Sequence, residues 1–174
     1  MGDRTSLTLA QGMTGILENT FINEKNTSKT IVANVDLKGS DRGVILCQGG
    51  KFGGWALYMD QGKPAYTYNW FGLKSFTVAS SKAIDKDNAE IKLVFDYEGG
   101  GNGKGGQATL FVDGQKVAEG RVDKTQPAVY SADETADVGK DEATQVADKV
   151  FKDVDDSQFT GRVKNVTISI PPKK

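Results

Sequence analysis

Hydrophobic and polar residues alternate in a series of short runs along this chain, and turn-forming residues separate the runs. The clearest run is Thr30–Leu37. One face of it would carry Ile31, Ala33, Val35 and Leu37. A period of two residues is typical of a β-strand with one buried face. By the same criterion, further strands are predicted at Gly43–Gln48, Gly54–Asp60, Pro64–Phe71, Ser75–Ala79, Ala89–Tyr97 and Phe159–Ile170. Ala108–Val117 is predicted to hold two strands, one on either side of Asp113-Gly114.

Glycine-containing turns connect most of these runs, and helices do not alternate with them. Asp113-Gly114 stands between two alternating runs, which strongly indicates a β-hairpin because both residue types tolerate positive φ. Gly49-Gly50 and Asp60-Gln61-Gly62 indicate turns for the same reason. Strands that recur every roughly eight to twelve residues, without alternating helices, favour an antiparallel sandwich. We therefore predict an all-β fold, a two-sheet antiparallel β-sandwich, in a single domain over residues 1–174.

The segment Ser131–Asp156 does not follow this alternation. It is acidic, and Val146, Val150 and Val154 recur every four residues. That spacing permits a weak helix over Glu142–Val154. The glycine and aspartates of the segment favour instead a loop with one helical turn, and the sequence leaves the two alternatives open.

The composition excludes several classes of function. The 174 residues include no histidine, so the commonest general base and the commonest transition-metal ligand are missing. With 22 basic and 23 acidic residues, the chain has no net positive charge to attract nucleic acid. No apolar run is long enough to cross a bilayer. We expect neither nucleic acid nor membrane as a partner, and we favour a binding or structural module over an enzyme.

Four aromatic residues are the candidate ligand-binding residues. Tyr66, Tyr68 and Trp70 alternate along one predicted strand, and Trp55 lies on the neighbouring strand. Aromatic rings stack on the apolar faces of sugar rings, while nearby polar groups bind the hydroxyls. The alternative is that these rings fill the core of the sandwich, which the general burial of aromatic side chains favours.

Four acidic residues of one loop, Asp133, Glu134, Asp137 and Asp141, are the candidate metal ligands. Calcium takes six to eight oxygen ligands, often from spaced carboxylates of a loop. The spacing here differs from that of an EF-hand, so a solvated acidic loop is the competing interpretation. Calcium is the one cofactor that the sequence suggests.

The single cysteine and a glycine-rich stretch have simple interpretations. Cys47 lies among Val44, Ile45 and Leu46 and has no histidine to activate it, so we interpret it as a buried packing residue. In Gly99–Gly106, no hydroxyl residue or helix follows the Gly-Lys pair, as a phosphate-binding loop requires. We predict a mobile loop between two strands there.

Several motifs, spread over nearly the whole chain, carry a family resemblance. They are the stretch from Gly43 to Tyr58, Tyr68-Asn69-Trp70-Phe71-Gly72-Leu73, Leu110-Phe111-Val112-Asp113-Gly114, Ser131–Gly139 and Phe159-Thr160-Gly161-Arg162-Val163. Together they resemble the C-terminal region of a large group of bacterial arylsulfatases. The resemblance implies a jelly roll of the concanavalin A-like (laminin-G-like) type, appended to a sulfatase catalytic domain.

The resemblance does not extend to catalysis. Sulfatases need Cys-x-Pro-x-Arg, or its serine form, whereas Cys47 is followed by Gln48-Gly49-Gly50-Lys51. We therefore predict a non-catalytic domain, excised from a larger sulfatase, that packs on the catalytic domain of the same parent chain and shapes substrate access. A periplasmic or secreted parent is the corresponding hypothesis for localisation.

Two other functions are considered. One is a carbohydrate-binding module that recognises glycans through Tyr66, Tyr68 and Trp70. The other is an independent glycosidase, which needs two carboxylates about 5–9 Å apart across a cleft. No diagnostic Glu-x-Asp-x-Glu run is present in the sequence, so the binding module is the stronger of the two.

Overall fold

The computed structural model describes residues 4–172, which form two six-stranded antiparallel sheets. In chain order the elements are β1 (Ser6–Leu9), β2 (Ile16–Leu17), β3 (Lys29–Asp36), β4 (Gly43–Gly50), β5 (Gly53–Asp60), β6 (Lys63–Trp70), β7 (Lys74–Ala79), β8 (Asn88–Tyr97), β9 (Gly106–Val112), β10 (Gln115–Val122), β11 (Thr135–Val138), α1 (Val154–Ser157) and β12 (Arg162–Ser169). Sheet I has the order β1-β12-β3-β8-β9-β10, and sheet II has the order β2-β11-β4-β5-β6-β7.

The predicted antiparallel sandwich of the concanavalin A-like jelly-roll type is confirmed. Each predicted strand is present, with ends shifted by a few residues where the ladder continues into a turn. β1, β2 and β11 were not predicted. All three strands are short, and β1 and β2 lie at sheet edges. Such strands have too few buried positions to show an alternation of hydrophobic and polar residues; in β1 only Leu9 is buried.

The core lies between the sheets and is built from the inward-facing positions of the long strands. In β3 these positions alternate strictly with half-buried ones, as the sequence predicts. Large buried side chains from both sheets meet there, among them Ile31, Leu93, Leu110, Leu57 and Ile168. Burial of apolar area on this scale is the main stabilising contribution in a domain of this size.

Sheet II is also covered on its outer face. Val146, Ala147 and Phe151 pack against a second apolar cluster on β4, β5 and β6, and the rings of Phe151 and Tyr58 meet edge to face at 5.4 Å. Consequently, all eight residues of β4 are buried. The covering segment is an irregular loop with the single helical turn α1, so the helix considered over Glu142–Val154 does not form.

A glycine allows this covering segment to return to the sandwich. Gly43 has φ +119°, and a Cβ there would overlap the backbone of Gln158 and Phe159. Any other residue at this position would push the returning chain away from β4.

One end of the sandwich carries most of the long connections. The β4–β5 and β6–β7 turns lie at this end because alternate strands run in the same direction. The β8–β9 loop and the segment after β10 join them: Gly103 N donates to Asn26 Oδ1 at 2.8 Å, and Gln126 N donates to the Tyr68 hydroxyl at 2.7 Å. We call this end the loop end. No helix among the described residues is long and apolar enough to span a membrane.

Candidate functional site

An open groove of about 940 Å³ lies at the loop end. Its two walls are the segment 17–25, which begins in β2 and runs towards β3, and the segment 128–132. Arg4 and Thr5, just before β1, and Ile170 and Pro171, just after β12, complete the lining. A hydrogen bond next to the groove joins the two wall segments to each other: Asn26 Nδ2, just after the first segment, donates to Pro127 O, just before the second, at 2.7 Å.

Polar and apolar groups share the lining of the groove. Arg4 brings an exposed guanidinium group, and Asn19 and Asn23 bring exposed amides. Leu17 and Val129 are 55% and 57% exposed. A guanidinium group binds a carboxylate in a bidentate manner, amides bind hydroxyls, and apolar side chains cover ring carbons and methyl groups. These are the contacts that an acidic sugar needs.

An ion pair stiffens the wall of the groove. Lys25 Nζ lies 2.6 Å from Glu18 Oε1, and the side chains are only 8% and 16% exposed. Glu18 also accepts a hydrogen bond from Tyr130 N at 3.0 Å, so it ties the two walls together. Among the described lining residues Glu18 is the single carboxylate, whereas hydrolysis of a glycoside needs a pair.

A buried polar network lies beneath this wall. Lys29 Nζ and Glu24 Oε2 are 2.6 Å apart, with both side chains 2% exposed. Glu24 Oε1 accepts hydrogen bonds from Trp55 Nε1 at 3.1 Å and from the Tyr130 hydroxyl at 2.5 Å. Burial would raise the pKa of Glu24, but the charge and hydrogen bond of Lys29 and the hydrogen bond from the Tyr130 hydroxyl hold it below its ordinary value. The carboxylate is therefore ionised and is the centre of a network that joins the core to the groove.

The predicted aromatic platform is mostly core. Trp55 and Tyr66 are fully buried and Tyr68 is 2% exposed, so these three rings are closed to a ligand in this structure. They point inward because β5 and β6 lie in the middle of sheet II, where one face meets sheet I. Trp70, at the end of β6, is half-buried and reaches the surface of the loop end.

Two of the four predicted metal ligands come together. Asp137 and Asp141 are both 1% exposed, and their carboxylates lie near the Cys47 sulfur, with the three ligand atoms within 4.8 Å of one another. Asp133 is exposed, and Glu134 instead accepts a hydrogen bond from Thr144 Oγ1 at 2.6 Å. The two buried carboxylates could supply oxygen ligands, but the thiol suits calcium poorly, and calcium binding stays a prediction.

The two buried carboxylates differ in how well they are satisfied. Asp137 accepts hydrogen bonds from Gly15 N at 2.7 Å, from the Thr135 hydroxyl and from Glu142 N. Asp141 Oδ2 accepts from Val146 N at 2.8 Å, while Oδ1 has no hydrogen-bond partner among the residues that the structure describes. Burial, with the nearby charge of Asp137, raises the pKa of Asp141 to about 7.

Cys47 is the packing residue that its neighbours in the sequence predict. It is fully buried, and its sulfur lies 3.6 Å from the carbonyl oxygen of Lys140. Burial and the nearby charges of Asp141 and Asp137 raise the pKa of the thiol well above its ordinary value. A thiol in this state is a poor nucleophile.

The groove residues were not predicted from the sequence. Arg4, Asn19, Asn23 and Val129 come from three segments of the chain, and none of them stands in a recognisable motif. The only local indication is that segments 17–25 and 128–132 lie outside the long strands, as binding loops commonly do.

Comparison with known proteins gives structural matches only. No family model matches the sequence, and no curated protein matches it. The CBM40 of the Ruminococcus gnavus IT-sialidase matches with a TM-score of 0.61 and 14% identity over 98% of this chain and 92% of that one. The NanB sialidase of Streptococcus pneumoniae matches with a TM-score of 0.58 and 15% identity, over 99% of this chain and 26% of the sialidase.

A third match is the binding domain of botulinum neurotoxin serotype C1, with a TM-score of 0.51 and 9% identity over 96% of this chain and 36% of that one. At these identities the matches establish a shared fold and no more. The chain thus has the β-sandwich fold that occurs both in a separate sialidase CBM40 and as a quarter of a larger sialidase.

Proposed function

We propose that this chain is a non-catalytic carbohydrate-binding module and that the groove at the loop end is its binding site. The observation that carries the proposal is the lining of the groove, which combines the Arg4 guanidinium, the Asn19 and Asn23 amides and the exposed Leu17 and Val129 side chains. A sugar that bears a carboxylate would use all three kinds of group.

The structural matches add support. The R. gnavus CBM40, whose fold this chain shares over nearly its full length, has also been seen bound to α2,6-sialyllactose, in a structure with a TM-score of 0.56 to this one. Sialyllactose carries a carboxylate, apolar ring carbons and many hydroxyls. We therefore infer that sialylated or otherwise acidic glycans are the ligand class.

Replacing Arg4 with glutamine is expected to weaken the binding of sialyllactose by about tenfold or more, because a charge-assisted bidentate hydrogen bond would be lost. Isothermal titration calorimetry with 3′- and 6′-sialyllactose, and with neutral lactose for comparison, measures the effect. The matched control is Arg162→Gln, since Arg162 is exposed at the other end of β12. Equal affinity of Arg4→Gln and wild type would remove Arg4 from the site, and no heat with any acidic glycan would overturn the proposed function.

A second candidate follows from the arylsulfatase resemblance: an accessory domain that packs on a sulfatase catalytic domain and shapes substrate access. Its support is the sequence motifs, together with the NanB match, in which this fold is part of a larger hydrolase. The gene that encodes this chain provides the test. A Cys-x-Pro-x-Arg motif (or its serine form) upstream in the same reading frame would support this candidate, and an unrelated upstream sequence would overturn it.

A further inference from the structure

Two neighbouring turns at the loop end expose apolar side chains, apart from the groove residues. Phe52, in the β4–β5 turn, is 67% exposed. Phe71 and Leu73, in the β6–β7 turn, are 42% and 77% exposed. Together with the half-buried Trp70 they form what we call the tip patch. Isolated exposed apolar residues are ordinary, but a contiguous group on adjacent turns marks an interaction surface.

The tip patch is held in a fixed shape. Asn69 Nδ2 donates to Lys51 O at 2.9 Å, and Gly72 N donates to Asn69 Oδ1 at 2.8 Å, so one buried amide ties both turns together. Phe71 has φ +52°, a left-handed conformation that is unfavourable for a bulky residue. The backbone thus accepts strain in a conformation that keeps the Phe71 ring exposed at the surface.

Lysines surround the tip patch. Lys51 precedes Phe52, and Lys74 follows Leu73. Lys124 Nζ lies 5.1 Å from the centre of the Trp70 ring. Two acidic residues lie nearby: Asp123 is paired with Lys74 at 3.1 Å, and the Glu134 carboxylate lies beside Gly50. The three lysines outnumber these two carboxylates, so the surroundings of the tip patch keep a positive balance. The overall charge of −1 therefore hides an uneven distribution.

We propose that the tip patch inserts into the surface of a bilayer that contains anionic lipids. Two small convex turns that expose aromatic and aliphatic side chains fit the boundary between headgroups and acyl chains, and a half-buried tryptophan is typical of that depth. Lysines around the apolar tips attract anionic headgroups while their stems lie along apolar surface. The contact concerns the surface of the bilayer and involves no membrane-spanning segment. It revises the expectation, drawn from the net charge and the lack of a long apolar run, that a membrane is not a partner.

This charge pattern favours a lipid surface over a folded protein partner. A protein interface of ordinary stability buries a broad area around a central anchor. The tip patch consists of four side chains on two turns and is ringed by cations on long, flexible stems. That arrangement adapts to a fluid anionic surface, and it needs no pocket on a partner.

The test is co-sedimentation of the protein with vesicles that contain no glycolipid. We expect binding to vesicles of equal parts phosphatidylserine and phosphatidylcholine, weaker binding to phosphatidylcholine alone, and weakening by salt. Emission from Trp70 should shift to the blue on binding, because Trp55 is already buried in the core. The double variant Phe52→Ser, Leu73→Ser should bind at least about tenfold more weakly, since two apolar side chains no longer leave water.

Matched variants distinguish binding through the tip patch from nonspecific adsorption to vesicles. Met13→Ser removes a side chain that is 45% exposed on the β1–β2 connection, and it should bind like wild type. Lys51→Gln with Lys124→Gln should lose the preference for anionic vesicles, whereas Lys38→Gln at the opposite end should keep it. Absence of wild-type binding to anionic vesicles at low salt, or equal binding by Phe52→Ser, Leu73→Ser, would overturn the proposal. Because no glycan is present, failure here leaves the glycan-binding proposal untouched.

Discussion

Replacing Glu24 with alanine is expected to lower the free energy of unfolding by about 3–5 kcal/mol, because the substitution leaves a buried ammonium group without its counter-ion. Lys29 is 3% exposed, and Glu24 Oε2 is its one salt-bridge partner among the described residues. The same change removes the acceptor of the Trp55 and Tyr130 hydrogen bonds. Urea unfolding followed by circular dichroism measures the loss.

Two further variants test whether the unpaired charge of Lys29 causes the loss of stability in Glu24→Ala. Glu24→Leu combined with Lys29→Leu removes both charges and should recover much of the stability, as replacement of buried pairs commonly does. Glu18→Ala removes the carboxylate of the less buried Lys25 pair and should cost less. If Glu24→Ala alone were as stable as the double leucine variant, the buried ion pair would not carry the effect.

The contribution of the Glu24–Lys29 pair should also appear in the dependence of the free energy of unfolding on pH in the acid range. The pKa of Glu24 is lowered in the folded state from its ordinary value of 4.5. The stability that Glu24 contributes is therefore present above that ordinary value and is lost as the pH falls through the lower folded-state value. Glu24→Ala should lack this part of the acid transition.

The fold follows from the sequence where a strand has one buried face. In β3 the buried Ile31, Ala33 and Val35 alternate with half-buried residues, most of them polar, and this pattern marks the core face directly. β4 shows the limit of this argument. Its residues are buried on both faces because Val146 and Phe151 cover sheet II from outside. That covering layer is an irregular loop, and its sequence shows neither the two-residue period of a strand nor the 3.6-residue period of a helix, so it was hard to predict.

The candidate site is harder to predict, because it is built by contacts between distant segments. Arg4 and Val129 line one groove although they are far apart in the chain, and each of them is an unremarkable surface residue in the sequence. Trp55 shows the reverse case. Its aromatic ring suggested a sugar platform, but its position in the middle of sheet II places it in the core. Residue type indicated the chemistry, while topology decided which rings reach solvent.

In the folded state, burial and the nearby charge of Asp137 raise the pKa of Asp141 to about 7 from an ordinary value of 3.8. Between these two values the folded state keeps a proton that the unfolded state releases, so rising pH destabilises the fold. Asparagine resembles the protonated form. Asp141→Asn should therefore be more stable than wild type by about 1–3 kcal/mol at about pH 8 and should match it at about pH 4. Thermal unfolding across this range provides the measurement.

The comparison also tests the calcium prediction for the same loop. The control, Asp133→Asn, changes an exposed carboxylate and should leave the pH profile as it is. If calcium binds Asp137 and Asp141, adding it at alkaline pH should stabilise wild type but not Asp141→Asn, since the second carboxylate would be gone. Suppose instead that Asp141→Asn were less stable than wild type in alkaline, calcium-free solution. The folded state would then have to stabilise the ionised Asp141 carboxylate. The buried Oδ1, which has no hydrogen-bond partner in the described part of the chain, would then not destabilise the ionised carboxylate as its surroundings indicate.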